Sequence, residues 1–139
     1  MFKKILSVVM VVVLCCGLGL TANAQSISTS ESSVQPRYSY TSTIATTLIN
    51  SSGNAKCGTI VEGYANAATK IKVTMTLQKK TLLWWSKAET WTTTVNDYYL
   101  SFYKTVSVDS GKYRVKSEIV VYSGSASESI TKYSSEKEF

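Results

Sequence analysis

The chain has 139 residues and carries 15 lysine and arginine residues against 9 acidic ones, for a net charge of +6. It contains no histidine, which excludes serine–histidine and cysteine–histidine nucleophiles and most zinc sites. A chain of this length can bury the core of one modest domain. We therefore expect a single small domain, not an enzyme, with no metal site and no cofactor.

The N-terminal segment has the composition of a secretory signal peptide. Two lysines precede an apolar run of about 16 residues, which is shorter than the ~20 residues that a membrane-spanning helix needs. Ala22-Asn23-Ala24 then places small residues at the positions that a signal peptidase recognises. We expect cleavage of residues 1–24 before Gln25 and a secreted protein, extracellular or associated with the cell surface. Loss of the two lysines lowers the net charge from +6 to +4.

The remaining chain divides into a short arm and a domain. Residues 25–36 are rich in serine and have little to bury, so we expect a disordered arm. In residues 37–139 apolar and polar residues alternate with period two, which predicts strands with one buried face. Turn residues separate these runs at fairly even intervals. The pattern predicts strands near 38–50, 54–65, 69–79, 84–95, 98–108, 111–123 and 127–135.

The third predicted strand has the clearest alternation. Ile71, Val73, Met75 and Leu77 would face a core, and the lysine and threonine residues between them would face solvent. The second strand would place Cys57 inward in the same way. Since Cys57 is the only cysteine left after cleavage, it has no partner for an internal disulfide. We interpret it as a small buried residue rather than a reactive thiol.

Seven short strands in about a hundred residues predict an all-β fold, an antiparallel β-sandwich. The segment 109-DSGKYRV-115 resembles the corner before strand F of immunoglobulin-like and fibronectin type III domains, where a tyrosine hydroxyl bonds to the backbone. Gly111 and Tyr113 would then have structural roles. Cys57 would match the first immunoglobulin cysteine, but Val115 stands where its partner would be. The chain is therefore closer to the fibronectin type III style.

The segment 79-KKTLLWWSK-87 is unusual for a hairpin, because it lacks the Gly, Asn or Asp that such turns normally contain. One interpretation, which we favour, is packing of this segment, with at least one tryptophan in the core. Trp85 and Trp91 are six residues apart and would share a face. The other interpretation is an exposed apolar tip. Its candidate contact residues are Lys79, Lys80, Leu82, Leu83, Trp84 and Lys87.

Tryptophan with flanking lysine suits a membrane interface or a cell-wall polymer, and an apolar tip can also bind another protein. Exposed tryptophan can also stack on a glycan. We predict a non-catalytic binding module at the bacterial surface, with a wall polymer, a glycan or a protein as its partner. The alternatives are a membrane-active toxin or bacteriocin-like protein and a structural component of the extracellular matrix. Nucleic acid is not an expected partner, because the sequence predicts no groove-entering helix and no dense basic stripe.

Four blocks carry a resemblance to a known family: 55-AKCGTIVEGY-64, 69-TKIKVTMTLQKK-80, 111-GKYRVKSEIVVYSG-124 and 128-ESITKYS-134. Together they resemble small secreted proteins from Gram-positive, largely clostridial, bacteria that form a domain of unknown function. The likeness runs from about Arg37 to the end of the chain. It implies a secreted β-sandwich and supplies no activity, cofactor or catalytic residue. Family members usually have a polar turn after the Leu-Gln-Lys-Lys block, so the apolar tip is a departure.

Overall fold

A computed structural model describes residues 37–139; the predicted signal peptide and serine-rich arm lie outside the described residues. The described part of the chain is all-β, and it contains no helix that could cross a membrane. Its strands are β1 (Thr41–Ser51), β2 (Asn54–Gly63), β3 (Lys70–Lys80), β4 (Trp85–Val95), β5 (Tyr99–Ser107), β6 (Lys112–Ser123), β7 (Ala126–Tyr133) and β8 (Lys137–Glu138). All seven predicted strands are present, and their ends differ from the predicted ones by no more than three residues.

The strands form two antiparallel sheets. One has the order β1-β2-β5, and the other has the order β4-β3-β6-β7. The short strand β8, which the sequence pattern did not predict, pairs with the first residues of β6. It therefore continues the edge that β7 forms along the rest of β6.

Alternate residues of β2, β3 and β6 form a core that the two sheets share. Ile71, Val73, Met75 and Leu77 of β3 are fully buried, as the alternation predicts. They belong to one hydrophobic cluster with residues of the other sheet, including Cys57. The prediction of an antiparallel all-β fold is confirmed, and the arrangement is β-sandwich-like.

A pair of hydroxyl groups connects the two sheets inside this core. Thr59 of β2 and Ser117 of β6 are both fully buried, and their hydroxyl oxygens are 2.6 Å apart. Thr59 also donates to the sulfur of Met75, at 3.4 Å. Each buried hydroxyl therefore has a partner, which removes most of the cost of burying it.

The corner before β6 has the hydrogen bond expected from the sequence. Tyr113 is buried, and its hydroxyl donates to the backbone oxygen of Asp109 at 3.0 Å. Gly111 has a φ of +148°, and a Cβ at this position would lie 2.7 Å from Cε of Lys79. The last residue, Phe139, packs its ring edge-to-face on Tyr113 and exchanges two backbone hydrogen bonds with Gly111.

Glu128 of β7 fixes the segment that leads into β1. Its carboxylate accepts hydrogen bonds from the backbone N–H groups of Ser39 and Tyr40, at 2.8 and 2.9 Å. The hydroxyl of Thr41 donates a third bond to it at 2.7 Å. This carboxylate therefore joins the first strand of one sheet to the last long strand of the other.

Candidate functional site: the tip of the β3–β4 hairpin

The turn between β3 and β4, residues 81–84, is here called the tip loop. Its ends are joined by Thr81, whose backbone N–H and hydroxyl both donate to the backbone oxygen of Trp84 at 2.8 Å. The N–H of Trp84 donates back to the Thr81 hydroxyl at 3.2 Å. Within residues 37–139, the positions with positive φ all lie outside the tip loop. Threonine therefore replaces the glycine or asparagine that hairpin turns normally need.

The tip loop presents apolar side chains to solvent. Leu82, Leu83 and Trp84 are 101%, 85% and 64% exposed. The favoured interpretation, packing of this segment, is wrong for these three residues. The expectation that at least one tryptophan packs against the core is met by Trp91, which lies on β4 outside this segment.

The prediction that Trp85 and Trp91 share a face is also wrong. Trp91 pairs with the buried Met75, whereas Trp85 pairs with Lys80 on the outer face of the same sheet. The cause is a β-bulge. The register of the β3–β4 pair shifts between Leu77 and Gln78, and Ala88 of β4 pairs with no residue of β3. One extra residue in a strand reverses the alternation beyond it.

The predicted lysines have different surroundings. Lys79 forms an ion pair with Asp109, with Nζ and Oδ2 3.0 Å apart. The hydrogen bond between them raises the pKa of Lys79 and lowers the pKa of Asp109. Lys80 lies over the ring of Trp85, with Nζ 5.7 Å from the centroid. Lys80 and Lys87 are exposed and form no ion pair with any described residue.

Arg114 of β6 is a neighbour of this hairpin that the sequence pattern did not reveal. Its guanidinium carbon lies 4.2 Å from the ring centroid of Trp85 and 4.4 Å from that of Tyr133. Its Nε donates to the side-chain oxygen of Gln78 at 2.8 Å. These partners come from three different strands, β4, β7 and β3. Only the register of the sheet brings them together.

Cys57 has the surroundings of a structural residue. It is fully buried in β2, and desolvation raises the pKa of its thiol to about 12. A thiol with so high a pKa has almost no reactive thiolate at neutral pH. This burial agrees with the interpretation of Cys57 as a small core residue.

Beyond these residues, the described part of the chain shows no further site with evident chemistry. An open groove of about 430 Å³ lies between β1 and the C-terminal segment, lined in part by Leu48, Ile49 and Lys137. No group of three histidine, cysteine or carboxylate side chains within residues 37–139 is placed to hold a metal ion.

Comparison of the chain with protein-family models, with curated proteins and with solved structures finds no match. The resemblance to the family of small secreted proteins from Gram-positive bacteria therefore stays a prediction.

Proposed function

We propose that this protein is a secreted, non-catalytic binding module that attaches to the surface of an anionic membrane through its tip loop. The observation that carries the proposal is the exposure of two adjacent leucines and a tryptophan at the end of a hairpin. Contiguous exposed apolar side chains on a small protein commonly mark an interaction site.

The chemistry of the tip loop favours lipid over a glycan or a wall polymer. Polysaccharide recognition relies on aromatic platforms together with polar groups, and Leu82 and Leu83 offer neither. Burying a leucine side chain in an apolar phase is favourable by roughly 1.5–3 kcal/mol. Trp84 is suited to the headgroup level of a bilayer. Lys80 and Lys87 flank the loop, and a lysine near an anionic membrane contributes about 1 kcal/mol.

We further propose that the fold is of the fibronectin type III style. The support is the position of β4, which joins the sheet of β3, β6 and β7. In an immunoglobulin constant domain the fourth strand belongs to the sheet of the first two strands. The Tyr113 corner is compatible with either type, and it has a structural role in both.

The test uses residues 25–139, which contain the whole core described above. The protein is mixed with vesicles of phosphatidylcholine, with or without phosphatidylglycerol, and sedimented. The double variant Leu82→Ser/Leu83→Ser removes the apolar tip. Ile49→Ser is the matched control, because Ile49 is also an exposed aliphatic residue but lies on β1.

We expect the unmodified protein and Ile49→Ser to sediment with vesicles that contain phosphatidylglycerol, and the double variant to stay in solution. Added salt should weaken binding, since it screens the lysines. Sedimentation with purified cell walls but not with vesicles would contradict the membrane proposal and indicate a wall polymer. Equal vesicle binding by the double variant would show that the tip loop is not the contact element.

A further inference from the structure

Arg114 is held in a fixed position on the outer face of its sheet. Its guanidinium lies between the rings of Trp85 and Tyr133, at 4.2 and 4.4 Å, and Gln78 accepts from its Nε. Cation–π contacts of this kind stabilise a guanidinium without using its hydrogen-bond donors. The side chain is therefore oriented before any partner arrives, which lowers the entropic cost of binding.

Most of the donors of Arg114 have no partner among the residues that the structure describes. A guanidinium has five N–H donors, and within residues 37–139 only the Nε donor has a partner. Arg114 forms no ion pair in this part of the chain. Three carboxylates of β6 and the C-terminal segment pair with lysines instead: Glu118 with Lys116, and Glu136 and Glu138 with Lys112.

The position of Arg114 relative to the tip loop suggests what these donors bind. Arg114 pairs with Gln78, two residues before Lys80 at the end of the strand, a distance of about 7 Å along the strand. Apolar side chains of a protein bound at a membrane reach ~5–10 Å into the headgroup and acyl boundary. With the tip loop at that depth, Arg114 lies at the level of the headgroups.

We propose that Arg114 binds a phosphate group, and that its source is the headgroup of an anionic phospholipid. The inference rests on the proposed function for the source of the phosphate and on the geometry of Arg114 for the site. A guanidinium binds phosphate through two parallel N–H bonds. Lysine carries the same charge as a single point and cannot form this pair of bonds.

The deciding variant is Arg114→Lys, which keeps the net charge and removes the planar donor pair. Arg37→Lys is its matched control, because Arg37 is the only other arginine and is exposed near the start of the domain. Tyr133→Leu removes one ring beside the guanidinium and leaves Arg114 itself intact. Retention of the Trp91 indole N–H resonance in the NMR spectrum verifies that each variant is folded.

We expect Arg114→Lys to weaken binding to vesicles that contain phosphatidylglycerol by about fivefold, the equivalent of roughly 1 kcal/mol for one lost hydrogen bond. Tyr133→Leu should also weaken it, and Arg37→Lys should leave it unchanged. Equal affinity of Arg114→Lys and the unmodified protein would overturn the inference, since charge alone would then explain the binding.

Titration with glycerol phosphate separates this inference from the proposed function. It is followed through the Arg114 Nε–H and Trp85 indole N–H resonances. Saturable shifts in a protein that binds no vesicles would contradict the membrane proposal and retain the phosphate site, with a soluble phosphate as its source. Vesicle binding that needs Leu82 and Leu83 but not Arg114 would support membrane attachment by the tip loop and contradict the phosphate site.

Discussion

Replacing Ser117 with alanine tests the polar link between the two sheets. Ser117 and Thr59 are fully buried, with their hydroxyl oxygens 2.6 Å apart. The variant leaves Thr59 with only the sulfur of Met75 as a partner, at 3.4 Å, and thioether sulfur is a weak acceptor. A buried polar group that loses its partner destabilises a protein by about 1–3 kcal/mol. We expect a loss of this size in the free energy of unfolding.

The assay is a double-mutant cycle in urea with Ser117→Ala, Thr59→Val and the double variant. Valine keeps the shape of threonine and removes its hydroxyl, so Thr59→Val leaves the hydroxyl of Ser117 without its partner in the same way. The double variant has neither hydroxyl, so no buried hydroxyl of this pair is left unpaired. Its loss of stability should be smaller than the sum of the two single losses by about 1–2 kcal/mol. Purely additive losses would mean that the two hydroxyls do not depend on each other, and would contradict a polar link between the sheets.

Three further predictions concern buried or crowded groups. Because the thiol of Cys57 has a pKa of about 12 rather than 9.0, it should make the folded state lose up to about 1.4 kcal/mol per pH unit as pH rises above 9. The free energy of unfolding, measured by urea denaturation at several pH values, should fall more steeply above pH 9 for the unmodified protein than for Cys57→Ala. The same pH dependence in both proteins would contradict the burial of the thiol. Glu128→Gln should lower the free energy of unfolding by about 1–2 kcal/mol. The glutamine NH₂ group would face the backbone N–H of Ser39, which now donates a hydrogen bond to the carboxylate. An unchanged denaturation midpoint would contradict this prediction. Gly63→Ala should destabilise more than Gly58→Ala: its Cβ would meet Ala68 Cβ and the backbone oxygen of Tyr40 at 2.4 and 2.9 Å, whereas the nearest atoms at Gly58 belong to side chains that can rotate. The reverse order of melting temperatures would contradict this.

The strands could be predicted because burial on one face imposes a period of two on the sequence. The alternation in β3 predicted its limits to within one residue and identified its buried apolar residues. It was wrong for Thr76, which was expected to face solvent and is buried. Strand β8 could not be found in this way, because it has two residues, Lys137 and Glu138, both exposed. Its existence depends on hydrogen bonds with β6, and these leave no hydrophobic pattern in the sequence.

The candidate site was predictable in location but not in detail. The lysine-bracketed apolar segment marked the hairpin, but alternation does not apply inside a turn and could not show which side chains are exposed. The bulge at Ala88 placed Trp85 and Trp91 on opposite faces, and no residue type at that position indicates a bulge. The contacts of Arg114 join strands that are distant in sequence, so they depend on the register of the whole sheet.

The fluorescence of Trp84 reports whether the tip loop is exposed and whether it contacts a membrane. The variant Trp85→Phe/Trp91→Phe leaves Trp84 as the only tryptophan in the chain. Its emission should be red-shifted in buffer, because the side chain is 64% exposed. Vesicles that contain phosphatidylglycerol should shift it to the blue, and cell-wall fragments should leave it unchanged. A blue emission in buffer that no additive alters would place Trp84 in the core and would contradict membrane contact by the tip loop.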